Sequence, residues 1–322
     1  MAAPFPSPTK TWHDNSYASI SPTNPDLSQA GKTVLITGGG TGIGAAIAHA
    51  FAAAGAAYIA LLGRRAAPLE ETKSSIERQY PGTQVFTAPT DATVQTEVEE
   101  AFAAFAEFTG GKGINVLVSS AAVIGPQGGI DQVDVGKSLS SIEANLKGAM
   151  YTGTAFLKYR AGGVVGERGE DVVVEVNSNA AHVNFAPGFA AYSISKWAVY
   201  RFWDSLGFEC GFAAEQGEGK GKGKGKVRVY HIQPGVVNTD MNREAGGVKA
   251  MGFEDHVSLP AGFSLWLASP QAKFLDGKFL WANWDVDELV AMKEEIEKKG
   301  LFDLQLVGWP FGTTEWVSGW KS

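Results

Sequence analysis

The sequence predicts an α/β fold: a doubly wound parallel sheet of about seven strands with helices on both faces. Three observations predict it. Short apolar runs that do not alternate recur along the chain, as strands covered on both faces require. Stretches of helical period lie between them. Strand and helix then take turns, which implies parallel pairing through right-handed crossovers. With 322 residues, 44% of them apolar, the chain can bury a sizeable core.

The elements follow in order. Residues 1–30 form an irregular arm in which Ser21-Pro22 and Asn24-Pro25 oppose helix, and Tyr17, Ile20 and Leu27 could pin it to the domain. Strand 1 is Thr33 to Thr37. The helix Gly42 to Gly55 carries Ile43, Ile47 and Phe51 on one stripe. Ala57 to Leu62, Gln84 to Thr87 and Ile114 to Ser119 are strands 2, 3 and 4, with helices Pro68 to Tyr80 and Val94 to Phe108 between them. Asp131 to Tyr159 is mostly helical, Asp171 to Ser178 is strand 5, and Phe189 to Phe212 is a long helix. Residues 215–226 alternate glycine with lysine or glutamate and read as a flexible, solvated insertion. Val227 to Ile232 is strand 6 and Phe279 to Trp281 a last strand. The domain runs over 31–285, with an apolar lid at 241–275. Residues 286–322 add a charged helix, Val286 to Lys299, and an aromatic tail with Trp309, Phe311, Trp316 and Trp320.

Composition narrows the function. A net charge of −7 counts against nucleic acid as a partner. The single cysteine, Cys210, allows neither an intrachain disulfide nor a cysteine-ligated zinc cluster, and suits a reducing compartment. Without a long apolar run at the N-terminus, the expected location is the cytoplasm, with no membrane span. His182 and His231 lie near strand ends, but no spacing makes them metal ligands, and packed or solvated histidines are the expectation.

Two stretches carry chemistry. Thr37-Gly38-Gly39-Gly40-Thr41-Gly42-Ile43-Gly44 sits between strand 1 and a helix. Gly38 permits a tight turn, Gly42 a close approach to a pyrophosphate, and Gly44 close packing of helix on strand. The helix N-terminus then offers free N–H groups to phosphates. Taken alone, the same residues could make an ordinary tight turn. In Ala191-Tyr192-Ser193-Ile194-Ser195-Lys196, Tyr192 and Lys196 share a helix face. An ammonium one turn away favours the phenolate, so the tyrosine becomes a usable acid–base group. Alone, that pair could equally be an aromatic contact beside a solvated lysine.

Together, in this order, the two stretches resemble the short-chain dehydrogenase/reductase family from about Lys32 to Met241, in its fungal-type form. The resemblance implies a Rossmann-type fold and a set of roles. Thr37 to Gly44, with Thr41 and Ile43, would be the cofactor loop. Asp91 would contact the adenine. Asn145, Ser178, Tyr192 and Lys196 would be the catalytic tetrad, and Pro234, Gly235, Val237 and Thr239 the segment at the nicotinamide end. Two departures stand out. Ser119-Ser120-Ala121-Ala122 replaces the family's Asn-Asn-Ala-Gly, with Ala121 lining the cofactor. The end of strand 5 reads Asn177-Ser178-Asn179, and both Ser178 and Asn179 have a family-like spacing to Tyr192. Ser178 is favoured by its hydroxyl and by the Ala180-Ala181-His182 that follows.

The implied reaction is hydride exchange between a nicotinamide and a carbonyl carbon. Ser178 would fix the oxygen, Tyr192 protonate it and Lys196 tune Tyr192, while Asn145 would hold a water that links Lys196 to solvent. Strand 2 ends in Gly63-Arg64-Arg65 with no acidic residue, so Arg64 points to NADP(H) over NAD(H), while Arg65 could be a surface charge. Met241, Met251, Phe253, Leu259, Phe263 and Trp266 suggest an apolar carbonyl or alcohol substrate, or else a core under a long loop. Met150, Phe156, Trp197, Tyr200 and Phe202 could form a homodimer or homotetramer face, or pack internally. The alternatives are a non-catalytic NADP(H)-binding regulatory protein on the same fold and, less favoured, an epimerase or dehydratase.

Overall fold

A computed structural model describes residues 4–161, 171–215, 225–248 and 252–305. Most of the Gly/Lys insertion, Met251 and the aromatic tail from Trp309 onward lie outside the described residues. Seven parallel strands form one sheet: β1 Thr33–Thr37, β2 Tyr58–Gly63, β3 Gln84–Pro89, β4 Val116–Ser119, β5 Asp171–Val176, β6 Val227–Gln233 and β7 Phe279–Trp281. Their order is β3-β2-β1-β4-β5-β6-β7. The sheet therefore reverses direction between β1 and β4, and that switch point is where open α/β sheets bind ligands.

The apolar runs form strands because both faces are covered. Val34, Leu35 and Ile36 are fully buried, and Ile36 registers with Leu61 on one side and Val118 on the other. One face carries α1 (Gly42–Ala53) and α2 (Ala66–Gln79), the other α3 (Gln95–Phe108), α4 (Val135–Tyr159) and α5 (Ala190–Glu215). Phe102, Phe105, Phe156 and Trp203 fill the second core. Phe156 and Tyr200, considered above for a subunit face, are buried within the chain, whereas Met150 and Trp197 are exposed.

Several boundaries move for physical reasons. Strand 5 stops at Val176, because Ser178 caps a short 3-10 turn over Asn179–Ala181. Helix α4 begins at Val135, where the Asp134 carboxylate accepts from Lys137 N. The C-terminal helix is two, Val286–Ala291 and Lys293–Lys299, broken where Met292 leaves helical geometry.

The largest difference concerns the expected lid. Ser258–Leu267 is a helix that packs on α1, and Leu259, Phe263 and Trp266 within it have no solvent exposure. These side chains are core, so their apolar character says nothing about the substrate. The N-terminal arm reaches the same core through Ile20 and Leu27, both fully buried. It also binds the other end of the chain. Lys10 and Thr11 N–H groups donate to the Glu288 carboxylate, at 2.7 and 3.0 Å, and Trp12 pairs antiparallel with Trp284.

Phe263→Ala is expected to lower unfolding free energy by about 3–5 kcal/mol, as deletion of a buried aromatic ring does. Denaturant unfolding checks this; a side chain that only covered substrate would leave stability nearly unchanged.

Candidate active site

The glycine turn begins where β1 ends. Gly38 N–H donates to Leu62 O at 2.8 Å, folding the chain back over β2. A Cβ on Gly44 would lie 2.3 Å from Gly38 O, so only glycine lets α1 start this close to the turn. Thr41 precedes α1 without capping it through its side chain, which leaves first-turn N–H groups free for an anion. A Cβ on Gly42 would fill the gap to Thr239, 3.0 Å from its methyl group. Ile43 is half-buried against the core. Thr37 Oγ1 accepts from Ser120 N and Ala121 N at 3.1 and 3.2 Å. These bonds hold the loop after β4 through its backbone.

At the far end of the cleft, Arg64 is exposed just beyond β2. The Asp91 carboxylate accepts from Thr93 N and Oγ1, at 2.9 and 2.7 Å. Those two bonds, with a smaller contribution from the Arg64 charge, hold its pKa below the usual carboxylate value. Arg65 instead pairs with Asp240 at 3.7 Å on the surface.

The second motif converges on the ends of β4 and β5. Lys196 is buried, and its Nζ donates to Val176 O at 2.8 Å and lies 5.8 Å from the centre of the Tyr192 ring. Tyr192 is half-buried one turn earlier. Asn145, from α4, uses its whole side-chain amide. It accepts from Val123 N and donates to Val123 O, both at 2.8 Å, and to Ser195 Oγ at 2.9 Å. Ser195 in turn donates to Tyr192 O, which ties α4 to the helical turn that carries the tyrosine. A cavity of about 10 Å³, roughly one water, lies between Asn145, Glu175, Val176 and Lys196. Ser178 Oγ accepts from Ala180 N at 3.2 Å and lies 3.3 Å from Asn179 Oδ1. Asn179 is held through its own N–H by Gln233.

The model of the short chain dehydrogenase family matches residues 32–247. A short chain dehydrogenase/reductase of Claviceps purpurea is 37% identical over 92% of this chain and 93% of its own. The chain belongs to the short-chain dehydrogenase/reductase family. Another relative, short chain dehydrogenase/reductase AacuD of Aspergillus aculeatus, is 31% identical over 92% of this chain and 95% of its own. Among solved structures, a dehydrogenase/reductase from Sinorhizobium meliloti superposes with a TM-score of 0.65 at 29% identity, covering 80% of this chain and 95% of that one. A Burkholderia cenocepacia short chain dehydrogenase in complex with NADP, 24% identical with a TM-score of 0.64, speaks to the fold alone; it covers 79% of this chain and 96% of its own. The protein is thus an oxidoreductase of this family, and its sheet is the Rossmann-type sheet expected.

Two residues near this family's motifs, Asp255 and Glu175, escape a reading of the sequence. Asp255 is buried under the Pro234-Gly235 turn, where it accepts from Val236 N at 2.6 Å and Asn283 Nδ2 at 2.9 Å. It holds the segment in which Val237 is buried and Thr239 caps the short helix Asp240–Glu244. Burial pushes the Asp255 carboxyl up to about 6, against the two hydrogen bonds that lower it. Glu175 and His231 form a buried pair at 2.5 Å between β5 and β6. A single acid in the run Val172 to Val176 was the available signal for Glu175; Asp255 had none. His182 is packed, accepting from Trp281 Nε1 at 3.3 Å. No group of residues among those described could hold a metal ion.

Because the folded-state pKa of Asp255 is raised from 3.8 to about 6, its ionisation opposes folding. Its contribution is fully favourable below the unfolded value and is lost as pH rises through about 6. Wild type should therefore gain stability relative to Asp255→Asn as pH falls from about 7 to about 4, by up to ~3 kcal/mol. Paired melting curves across that range check the sign.

Proposed function

We propose that the protein is an NADP(H)-dependent oxidoreductase that interconverts a ketone or aldehyde with its alcohol, with Tyr192 as general acid and base. The observation that carries this reading is the Lys196 ammonium, fixed to Val176 O at the end of β5 and 5.8 Å from the centre of the half-buried Tyr192 ring. A nicotinamide cofactor held by the glycine turn would supply or take the hydride. The uncapped start of α1 and the gap at Gly42 suit its phosphates. In reduction, Tyr192 gives its phenolic proton to the substrate oxygen, and the Lys196 charge stabilises the phenolate left behind. Ser178 orients that oxygen through its hydroxyl. Asn145 and Ser195 keep the Tyr192 turn in register with α4.

Arg64 supports NADP(H) over NAD(H). It is an exposed guanidinium beside Asp91, at a strand end with no acidic residue to bind a free ribose hydroxyl. Ala121 and Asp91 complete the wall on the adenosine side of the reading. For the substrate we favour a small molecule with an apolar body. With Phe263 and Trp266 in the core, support comes from the loop between Ser178 and Tyr192, where the Phe185 and Phe189 rings pack at a tilt with centres 4.8 Å apart and Val183 is exposed. A single cysteine suits the cytoplasm, and no described helix is long and apolar enough to cross a membrane. Exposed Met150 and Trp197 support self-association through α4 and α5 as a homodimer or homotetramer.

Tyr192→Phe should lower turnover by about 10²–10⁴-fold while the thermal shift produced by NADPH persists; reduction of carbonyls at the wild-type rate would sink the mechanism. Arg64→Ala should weaken NADPH more than NADH, read as the loss of the larger NADPH-induced rise in melting temperature. An equal effect on both cofactors would remove the phosphate assignment and leave the enzyme.

A further inference from the structure

Behind Lys196 lies a charge that the proposed reaction has not used. Glu175 is 1% exposed, on a strand whose other residues from Val172 to Val176 are apolar. One carboxylate oxygen meets His231 Nδ1 at 2.5 Å and the other accepts from Asn177 Nδ2 at 2.5 Å. Asn177 Nδ2 also donates to Lys196 O at 3.1 Å, so one amide fastens the carboxylate to the lysine's own backbone. Glu175 and Lys196 line the same water-sized cavity.

The charge state follows from the hydrogen bonds. His231 has no solvent exposure, and its Nε2 has no partner among the described residues. A neutral imidazole leaves only a lone pair there, whereas an imidazolium would bury an unpaired N–H carrying positive charge, the costlier arrangement. His231 is therefore neutral, with Nδ1–H donating to Glu175, and the negative charge stays on the carboxylate. Lys196 presents the complementary need. The residue is 5% exposed, and the one hydrogen-bond acceptor of its ammonium among the described residues is the neutral Val176 O. A buried cation demands a counter-charge. The other titratable groups facing this place are few. Tyr192 lies on α5 beside Lys196, and Tyr200, also on α5, packs its ring at a tilt against His231, centre to centre 4.4 Å. Burial pushes the Tyr200 phenol up to about 12, so it stays neutral. From α4 and β4 come only Asn145, Ala149 and Ser119, none of which titrates.

We infer that Glu175 is a positioning residue for the Tyr192–Lys196 pair: its buried anion balances the Lys196 ammonium across a single water, and His231 fixes the direction of its carboxylate. No bond of the substrate is made or broken by it. It sets the pH at which the pair holds and releases its proton. The inference rests on the reading of Tyr192 and Lys196 as the acid–base pair.

The test is Glu175→Gln, which keeps shape and removes charge. An anion stabilises the protonated form of every group near it, so its loss favours deprotonation of both Lys196 and Tyr192. The alkaline limb of carbonyl reduction and the acidic limb of alcohol oxidation should both move to lower pH, by about half a unit or more. The same downward shift should appear without cofactor, in the near-ultraviolet phenolate titration of Tyr192, taken as the difference between each protein and its Tyr192→Phe counterpart. His231→Gln retains the carboxylate charge and should lower melting temperature with a much smaller shift in either limb. Should Glu175→Gln fail to fold, the double variant Glu175→Gln/His231→Gln, in which two amides can pair, carries the same charge removal and the same expected shift. Limbs and phenolate titration unchanged in folded Glu175→Gln would overturn the inference, as would His231→Gln shifting them equally. If Tyr192→Phe turns over at the wild-type rate, the acid–base reading fails instead, and the cofactor-free titration still reports whether Glu175 acts on Tyr192.

Discussion

Gly44 has no side chain, and the placement of everything at the switch point depends on that. Any Cβ there would meet the Gly38 carbonyl, so a larger residue would force α1 away from the end of β1. With the helix seated, its free N–H groups open beside the loop after β4, which Thr37 holds by two backbone hydrogen bonds. The same loop runs on to Val123, where Asn145 grips it from α4. A steric constraint at one residue is thus passed by hydrogen bonds to the helix that carries Tyr192, through Asn145 and Ser195. Each link is short and buried or half-buried, so the relative position of cofactor turn and acid–base pair is set by geometry rather than by a flexible loop.

Buried charge is handled by pairing. Arg160 and Asp171, neither exposed, pair at 2.8 Å where β5 begins. Glu175 and His231 pair four residues further along β5. The first ties the end of α4 to the start of β5, at the opposite end of the strands from the glycine turn. The second stands next to the ammonium at the site, where a single ionised group changes the proton affinity of its neighbours. Removing the charged partner from either pair would leave a buried charge without its counter-charge, which costs more than the pair contributes.

Legibility in the sequence followed distance along the chain. The glycine turn and the Tyr192–Lys196 spacing are local patterns on a strand–turn–helix and on one helix face, and both were visible in the residues. The parallel sheet was visible too, since burial on both faces leaves unbroken apolar runs. Asp255 was not, because the groups it binds, Val236 and Asn283, lie 19 and 28 residues away. His231 and Glu175 are 56 apart. Whether the stretch at 258–267 is lid or core stays open in the sequence for a related reason. Leu259, Phe263 and Trp266 look the same in sequence whether they cover a substrate or a helix, and only the packing against α1 and the arm decides. Ser178 was placed at a strand end, but the short turn it caps, and the contact with Asn179 that this brings, depended on a local hydrogen bond that residue type alone does not specify.

The N-terminal arm has a consequence for how the sheet meets the outside. β7 is the last strand, and an uncovered last strand offers its backbone to any passing extended chain. Here Phe279 N–H is already taken by Phe302 O, and just beyond the strand Asn283 O accepts from His13 N while Trp12 lies antiparallel to Trp284. The arm and the segment around Phe302 together cover that margin. Without residues 4–20 the glycine turn and the acid–base pair would remain, but Trp281 and Trp284 would lie bare at a raw strand edge able to recruit a neighbour.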